Sequence, residues 1–127
     1  ELLDILIRNV ATRPSPLSPV LLFHIRGAAA RVDPRSTAFS HRKDQWDSDI
    51  ISQWIEPADD EKNITWTRNF WKEIEPFTNG VYVNHLDNDD AARIKNAYGE
   101  NYERLKIIKK KYDPDNIFKM NNNIKPA

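Results

Sequence analysis

The sequence contains three histidines, His24, His41 and His85, a residue type that can bind a metal ion or act as an acid or base near neutral pH. They are scattered along the chain, and none forms the i, i+4 pair with which a helix presents two metal ligands. The chain contains no cysteine, which excludes thiolate ligands, disulfides and a cysteine nucleophile within these residues. It also lacks a G-x-S-x-G elbow, a P-loop and a G-x-G-x-x-G fingerprint. The sequence therefore predicts no metal site and gives no signal for a hydrolase or a Rossmann-type protein.

Two aspartates stand where apolar residues would pack more favourably. The pattern of residues 45–55 predicts a long strand, and Asp47 and Asp49 share one face of it because side chains alternate along a strand. The other face carries Trp46 and Trp54 together with two serines. Neither face is uniformly apolar, so we expect one face to join the core and the other to line a wet surface.

A second polar group lies on a strand predicted over residues 81–86, where the alternation is strict. His85 shares one face with two valines, whereas Tyr82 and Asn84 share the opposite face. Burying such groups is unfavourable unless they find partners. Spacing alone favours a histidine that is satisfied within the core over a catalytic one, and it leaves the function open.

The elements around these residues predict an α+β fold. An amphipathic helix pattern over residues 2–10 opens without an N-cap, as in a piece cut from a longer chain, and ends at the prolines after it. A strand is predicted over residues 20–25, and the clearest helix follows Pro57 and three acidic residues. Two helices then precede the irregular end of the chain. This order predicts an antiparallel sheet covered on one face by helices, with a helical C-terminal segment.

The amino-acid composition limits the kinds of partner, such as nucleic acids or membranes, that this chain is expected to bind. The 127 residues contain 19 basic and 19 acidic side chains, so there is no basic excess to neutralise nucleic-acid phosphates. No apolar run is long enough to span a bilayer, which predicts a soluble protein without a membrane partner. The compartment, cytoplasmic or secreted, stays open.

Five segments, in the correct order, resemble the berberine-bridge family of FAD-linked oxidases. Residues 112–126 read YDPDNIFKMNNNIKP and are similar to the family's terminal signature, and AYGENYERL at residues 97–105 is similar to the helix before it. VYVNHL at residues 81–86 resembles the family's Y-x-N-Y strand. TAFSHR at residues 37–42 resembles its F-P-H-R stretch, and residues 27–32 resemble its strand of small residues.

The resemblance implies that the chain is a fragment of a larger two-domain flavoprotein. Residues 1–86 would be the C-terminal half of its substrate-binding domain, and residues 87–127 the berberine-like helices and the tail that returns to the FAD domain. The implied cofactor is FAD, bound mainly by a domain that lies outside this chain. The implied partners are that FAD domain and a small-molecule substrate, and an uncovered sheet or helix surface would favour self-association.

The resemblance also implies a chemistry. The family oxidises hydroxylated small molecules, such as sugars and secondary metabolites, by removing a proton and passing a hydride to the flavin. His85 stands where the family has the second tyrosine of Y-x-N-Y, which supplies or assists the base. Histidine titrates closer to neutral pH than tyrosine, so His85 is either the base or a residue that lines the pocket.

Further site residues follow from the same resemblance. Asp47 and Asp49 correspond to a pocket-facing acid or amide and join His85 as candidate catalytic residues. The candidate cofactor-binding residues are Tyr82, Asn84, Asn121 and Asn123. Whether the flavin is covalently attached, and whether oxygen is the electron acceptor, stays open.

A second hypothesis is a binding or assembly module that keeps the fold without a flavin domain and is not an enzyme. The histidine in place of the family's tyrosine motivates it. A full-length gene product that contains flavin would exclude this alternative.

Overall fold

The computed structural model describes residues 1–86, 91–120 and 122–127, and the chain forms two compact units. The first unit consists of Glu1–His24 and Gln45–Thr78, and the second of Ile25–Asp44 and Asn79–Ala127. The helices and strands are α1 (Leu2–Ala11), β1 (Val20–Ile25), α2 (Ala28–Arg31), β2 (Gln45–Ile50), α3 (Asp60–Ile74), α4 (Ala91–Tyr98) and α5 (Tyr102–Tyr112). Four 3-10 turns lie between them, at Pro57–Asp59, Glu75–Phe77, Val83–His85 and Gly99–Asn101.

The first unit is an antiparallel strand pair covered by helices on one face, so the predicted α+β fold is confirmed. At one end of the pair the Ile51 N–H donates to the Pro19 carbonyl at 3.1 Å. At the other end the rings of His24 and Trp46 stack with centroids 4.4 Å apart. This register places alternate residues of both strands on the same face of the sheet.

Helix α3 supplies the core of the first unit. Trp66, Phe70 and Ile74 follow one another at intervals of four residues, so they form one buried stripe. The Phe70 side chain is completely buried. Partly buried apolar side chains from α1, β1, β2 and α3 itself pack against the stripe: Ile5, Leu6, Val20, Ile50 and Trp71.

Polar contacts join α1 to α3. The Asn9 amide donates to Glu73 Oε2 at 2.6 Å, and Arg8 donates to the same oxygen at 3.0 Å. The Trp66 indole N–H donates to the Asn9 carbonyl at 3.1 Å. These donors stabilise the charged carboxylate, so the Asn9 hydrogen bond and then Arg8 lower the pKa of Glu73 below its ordinary value.

Both strands differ from their predictions in one respect. β2 ends at Ile50 although the pattern predicted a strand to residue 55. Beyond it the Gln53 backbone is held by a side chain instead, because Ser18 Oγ accepts from the Gln53 N–H and donates to the Gln53 carbonyl. β1 lies where it was predicted, but its central residues are exposed. In a sheet of two strands with helices on one face, these residues can be covered on that face at most.

The first unit also contains an apolar cavity of about 450 Å³. It lies on the helix-covered face of the sheet. Its walls come from α1, the two strands and the C-terminal end of α3 with the turn after it: Leu2, Leu3, Leu6, Leu22, Trp46, Ser48, Ile74, Phe77 and Thr78.

The second unit contains α2, α4 and α5. Ile94 and Ala97 of α4 are buried, and so are the polar residues Asn101 and Asp113. Within residues 27–32, which resemble a strand of small residues, Ala28–Arg31 form the short helix α2 instead. Gly27 begins that helix at φ 62°, a left-handed conformation that favours glycine over any other residue.

The strand predicted over residues 81–86 was wrong. The chain forms the 3-10 turn Val83–His85 there, with the His85 N–H donating to the Tyr82 carbonyl at 3.0 Å and the Leu86 N–H to the Val83 carbonyl at 3.2 Å. Strict alternation predicts a strand only where a neighbouring strand accepts its backbone hydrogen bonds. The described residues provide no such neighbour, so the backbone groups are satisfied locally.

No helix in the described part of the chain is both long and apolar enough to cross a membrane.

Candidate functional site

Tyr82, Asn84 and His85 form one cluster in the second unit, although the sequence had predicted His85 on the opposite face of a strand from Tyr82 and Asn84. A 3-10 turn places residues i and i+3 above one another, which brings Tyr82 and His85 together. Their ring centroids lie 5.1 Å apart at an interplanar angle of 88°, an edge-to-face contact. The Asn84 amide donates to the Tyr82 hydroxyl at 2.8 Å. An imidazole, a phenol and an amide therefore lie side by side on one turn.

Residues from the F-P-H-R-like stretch adjoin this turn. The Phe39 ring meets Tyr82 edge-to-face with centroids 6.0 Å apart, and it meets His41 at 5.7 Å. His41 Nε2 lies 3.1 Å from the Ala97 carbonyl, which ties the stretch to α4. Gly80 packs so closely on His41 that a Cβ at position 80 would overlap the imidazole. A larger residue at position 80 would therefore force the His41 ring to move.

Arg42 holds this stretch from the other side. Its guanidinium lies over the Phe39 ring, 4.7 Å from the centroid, where a cation–π contact is favourable. It also donates to the Thr37 hydroxyl at 3.1 Å and to the Ala29 carbonyl at 3.4 Å. The aromatic ring that meets Tyr82 is thus fixed by a charged side chain.

The tail reaches the same turn through Asn122. Its side-chain amide donates to the Val83 carbonyl at 2.6 Å. The side-chain oxygens of Asn122 and Asn123 are buried, and neither accepts a hydrogen bond from the described residues. Asn121, the other predicted tail residue, lies outside the described residues. The tail thus presents one buried acceptor, on Asn122, beside the turn that carries Tyr82, and a second on the adjacent Asn123.

Asp47 and Asp49 belong to the first unit. Their neighbours on β2, Trp46 and Ser48, line the apolar cavity, and Ile50 packs against the core. Because side chains alternate along a strand, the two aspartates share the opposite face of the sheet. The structure therefore divides the described candidate residues into an aspartate pair on β2 and a group around the turn at Val83–His85.

Three residues that lie near the turn at Val83–His85 were not predicted from the sequence as site residues: Phe39, His41 and Asn122. Phe39 and His41 were part of a motif but received no role, because their contacts run to residues about 40 and 56 positions away. Asn122 lies between the two asparagines that were chosen. A run of three identical residues gives no signal for which amide faces inward, so only the fold identifies it.

Among the described residues no group of three histidine, aspartate or glutamate side chains converges in a way that could hold a metal ion. Burial raises the pKa of Tyr98, at the end of α4, above its ordinary value.

Proteins with similar sequences include FAD-linked oxidoreductases. An uncharacterised FAD-linked oxidoreductase of Bacillus subtilis, YgaK, is 35% identical over 100 residues, which are 79% of this chain and 22% of that protein. An FAD-linked oxidoreductase of Dictyostelium discoideum is 31% identical over 129 residues, which are 99% of this chain and 28% of the relative. The chain thus spans less than a third of the length of these relatives.

Solved structures show the same fold. A glycopeptide hexose oxidase in complex with teicoplanin superposes with a TM-score of 0.82 at 24% identity, covering 97% of this chain and 29% of the other. An oxidoreductase that catalyses the terminal step of gilvocarcin biosynthesis, in complex with pregilvocarcin, superposes with a TM-score of 0.75 at 28% identity, covering 90% and 27%.

The relatives in sequence thus belong to the class of FAD-linked oxidoreductases. Residues 81–125, which include the turn, α4, α5 and most of the tail, match the family described as "Berberine and berberine like". The chain belongs to the berberine-bridge family, as its motifs predicted. The predicted domain boundary between residues 86 and 87 concerns the longer flavoprotein and stays a prediction.

Proposed function

We propose that this chain is part of an FAD-dependent oxidoreductase that oxidises a hydroxylated small molecule, a sugar or a secondary metabolite, by hydride transfer to the flavin. The observation that carries the proposal is the cluster of Tyr82, Asn84 and His85 on one turn, beside the buried asparagine acceptors of the tail. The relatives and the glycopeptide hexose oxidase support the reaction class. By itself, this chain is expected to be inactive.

The polar groups at the turn fit the edge of a flavin. A flavin ring presents both donors and acceptors, and a protein orients it with complementary groups. The side-chain oxygen of Asn123 is a buried acceptor without a donor among the described residues, and that of Asn122 is another. Buried polar atoms normally have partners, so an absent group that donates hydrogen bonds would satisfy them. In our proposal Asn123 and Tyr82 hold the cofactor and Asn84 orients the Tyr82 hydroxyl, with Asn121 as a further candidate.

His85 is the proposed base. FAD, when bound, accepts the hydride, and this chain supplies the group that removes the hydroxyl proton. Imidazole ordinarily titrates near neutral pH, which suits a general base without further activation. The edge-to-face contact with Tyr82 limits the directions that the His85 ring can take. We infer that Tyr82 both contacts the cofactor and orients the base.

Asp47 and Asp49 are proposed to contribute a pocket-facing acid from the substrate-binding sheet. Their shared position on the face of β2 away from the core supports this, because a carboxylate on that face does not disturb the packing against α3. A hydroxylated substrate offers donors that a carboxylate accepts. The two residues would thus select the substrate.

The first experiment is the intact mass and visible spectrum of the protein expressed from the full open reading frame. A larger yellow protein supports the proposal. A colourless protein of about this size contradicts it and leaves the binding or assembly module as the alternative.

In a yellow, active protein, we expect His85→Gln to lower kcat by about 100-fold or more, because general-base catalysis contributes about 10² to 10⁴. The flavin content should stay unchanged. The matched control is His24→Gln, since His24 stacks on Trp46 in the first unit. Equal activity of the two variants would reject His85 as the base and leave it lining the pocket.

A further inference from the structure

The turn after α5 is built around a buried carboxylate. Asp113 caps the helix, and only 7% of its surface is exposed. Its two carboxylate oxygens accept the backbone N–H groups of Ile117 at 2.7 Å and Phe118 at 3.0 Å. Asn116, the residue just before Ile117, has φ 53°, a left-handed conformation that asparagine tolerates better than most residues. A single side chain therefore sets the direction in which the tail leaves the helix.

Lys109 strengthens the same turn. Its ammonium donates both to Asp113 Oδ2 and to the Phe118 carbonyl, so it bridges the carboxylate and the tail backbone. The Lys109 side chain is 16% exposed and that of Asp113 is 8% exposed, which shields the ion pair from solvent. The Lys109 hydrogen bond, followed by the two backbone donors, lowers the pKa of Asp113 against the opposing effect of burial.

The tail is held at two further points. Nine residues after Asp113, the Asn122 amide donates to the Val83 carbonyl, and this carbonyl belongs to the turn that carries His85. At the end of the chain, the Ala127 N–H donates to the Lys106 carbonyl of α5 at 3.4 Å. The tail thus leaves α5, passes beside the candidate site and returns to α5.

We propose that Asp113 is a positioning residue for the cofactor-facing tail, which it directs so that Asn122 and Asn123 lie beside the turn at Val83–His85. The hydrogen bonds of the Asp113 carboxylate run to Lys109 and to the tail backbone, so its effect on that turn passes through residues 117–123. The inference rests on the proposed function, because the catalytic consequence exists only if the turn and the tail face a flavin.

The test is Asp113→Asn in the full-length flavoprotein. An asparagine can accept at one oxygen only and has no charge for Lys109, so one backbone donor loses its partner. The matched control is Asp115→Asn, which removes the same charge from an exposed position on the same turn. Lys109→Gln is a second variant, which removes the bridge but keeps the carboxylate, in case Asp113→Asn does not fold.

Three readouts separate positioning from a general loss of stability. We expect kcat per bound flavin to fall by about 10- to 100-fold in Asp113→Asn, as for a misplaced active-site group. The flavin absorption spectrum should shift because the tail asparagines move. Trypsin should cleave after the exposed Lys119 at least several-fold faster than in the control, which needs no activity. Lys109→Gln should change all three in the same direction by less.

The outcomes distinguish the two proposals. A yellow, active wild-type protein whose Asp113→Asn variant matches Asp115→Asn in kcat per flavin and in spectrum overturns the positioning role and leaves the proposed function standing. A lower melting temperature alone, with kcat per flavin unchanged, overturns it equally. A colourless wild-type protein overturns the proposed function and the catalytic role of Asp113 together. Trypsin cleavage at Lys119 then reports separately whether the carboxylate fixes the tail.

Discussion

The two compact units are stabilised in different ways. The first unit has an apolar core on α3, where Trp66, Phe70 and Ile74 are buried against α1 and the sheet. In the second unit the buried polar side chains of Asn101 and Asp113 contribute to stability, and each forms hydrogen bonds with several backbone groups. Apolar packing tolerates exchanges of similar volume, whereas a buried polar hub fails when a single atom is changed. Both units contain buried polar side chains that hold backbone groups, Ser18 in the first and Asn101 and Asp113 in the second, but the cluster of buried aromatic and aliphatic side chains on α3 belongs to the first unit.

Asn101 shows how the second unit is held. Only 3% of its surface is exposed, and its amide nitrogen lies within hydrogen-bonding distance of three carbonyls, at 2.7 Å from Pro34, 3.1 Å from Thr37 and 3.4 Å from Ala38. These carbonyls belong to the segment that leads to Phe39. The amide therefore fixes the stretch that supplies the aromatic neighbour of Tyr82.

The largest expected effect is in the first unit. Phe70→Ala should lower the free energy of unfolding by about 3–5 kcal/mol, because the ring is completely buried and its removal leaves a cavity. The measurement is chemical denaturation followed by tryptophan fluorescence. Phe77→Ala, at a ring that is 44% exposed, is the control and should cost much less. Equal losses would show that α3 does not supply the core.

A smaller effect is expected in the second unit. Asn101→Ala should lower the free energy of unfolding by about 1–3 kcal/mol, because the hydrogen bonds from its buried amide to the backbone carbonyls are lost, at about 0.5–1.5 kcal/mol each. The control is Asn96→Ala on the exposed side of α4. Hydrogen exchange should then rise in residues 34–42 and not in α3. Uniform exchange across both units would contradict the contrast between them.

The smallest expected effect concerns pH. The pKa of Glu73 is lowered from an ordinary value of 4.5, so its contribution to stability is fully present above that value and is lost as the pH falls through the lowered pKa. Glu73→Gln should therefore flatten the decline of the melting temperature on acidification below pH 4.5. Glu75→Gln, an exposed carboxylate on the adjoining turn, serves as the control. A steeper decline in Glu73→Gln would reverse the sign of the argument.

The sequence predicted α3 well because its apolar pattern reflects burial. The stripe that includes Phe70 and Ile74 has helical spacing, and the helix lies where it indicated. The same reasoning failed at residues 81–86, where alternation imitated a strand but no partner strand exists among the described residues. Which side chains meet at the turn depends on that backbone. Tyr82, Asn84 and His85 were chosen from the sequence as candidate site residues, but their contact on one turn could not be predicted.

The hydrogen bonds that hold the tail also differ in how quickly they can form during folding. Asp113 contacts residues four and five positions ahead, whereas Asn122 must meet Val83 across 39 residues. Closing the longer loop costs about 2 kcal/mol more in chain entropy. Short-range contacts also form on a faster timescale than long-range ones. We therefore expect the direction of the tail to be set before Asn122 meets Val83 during folding.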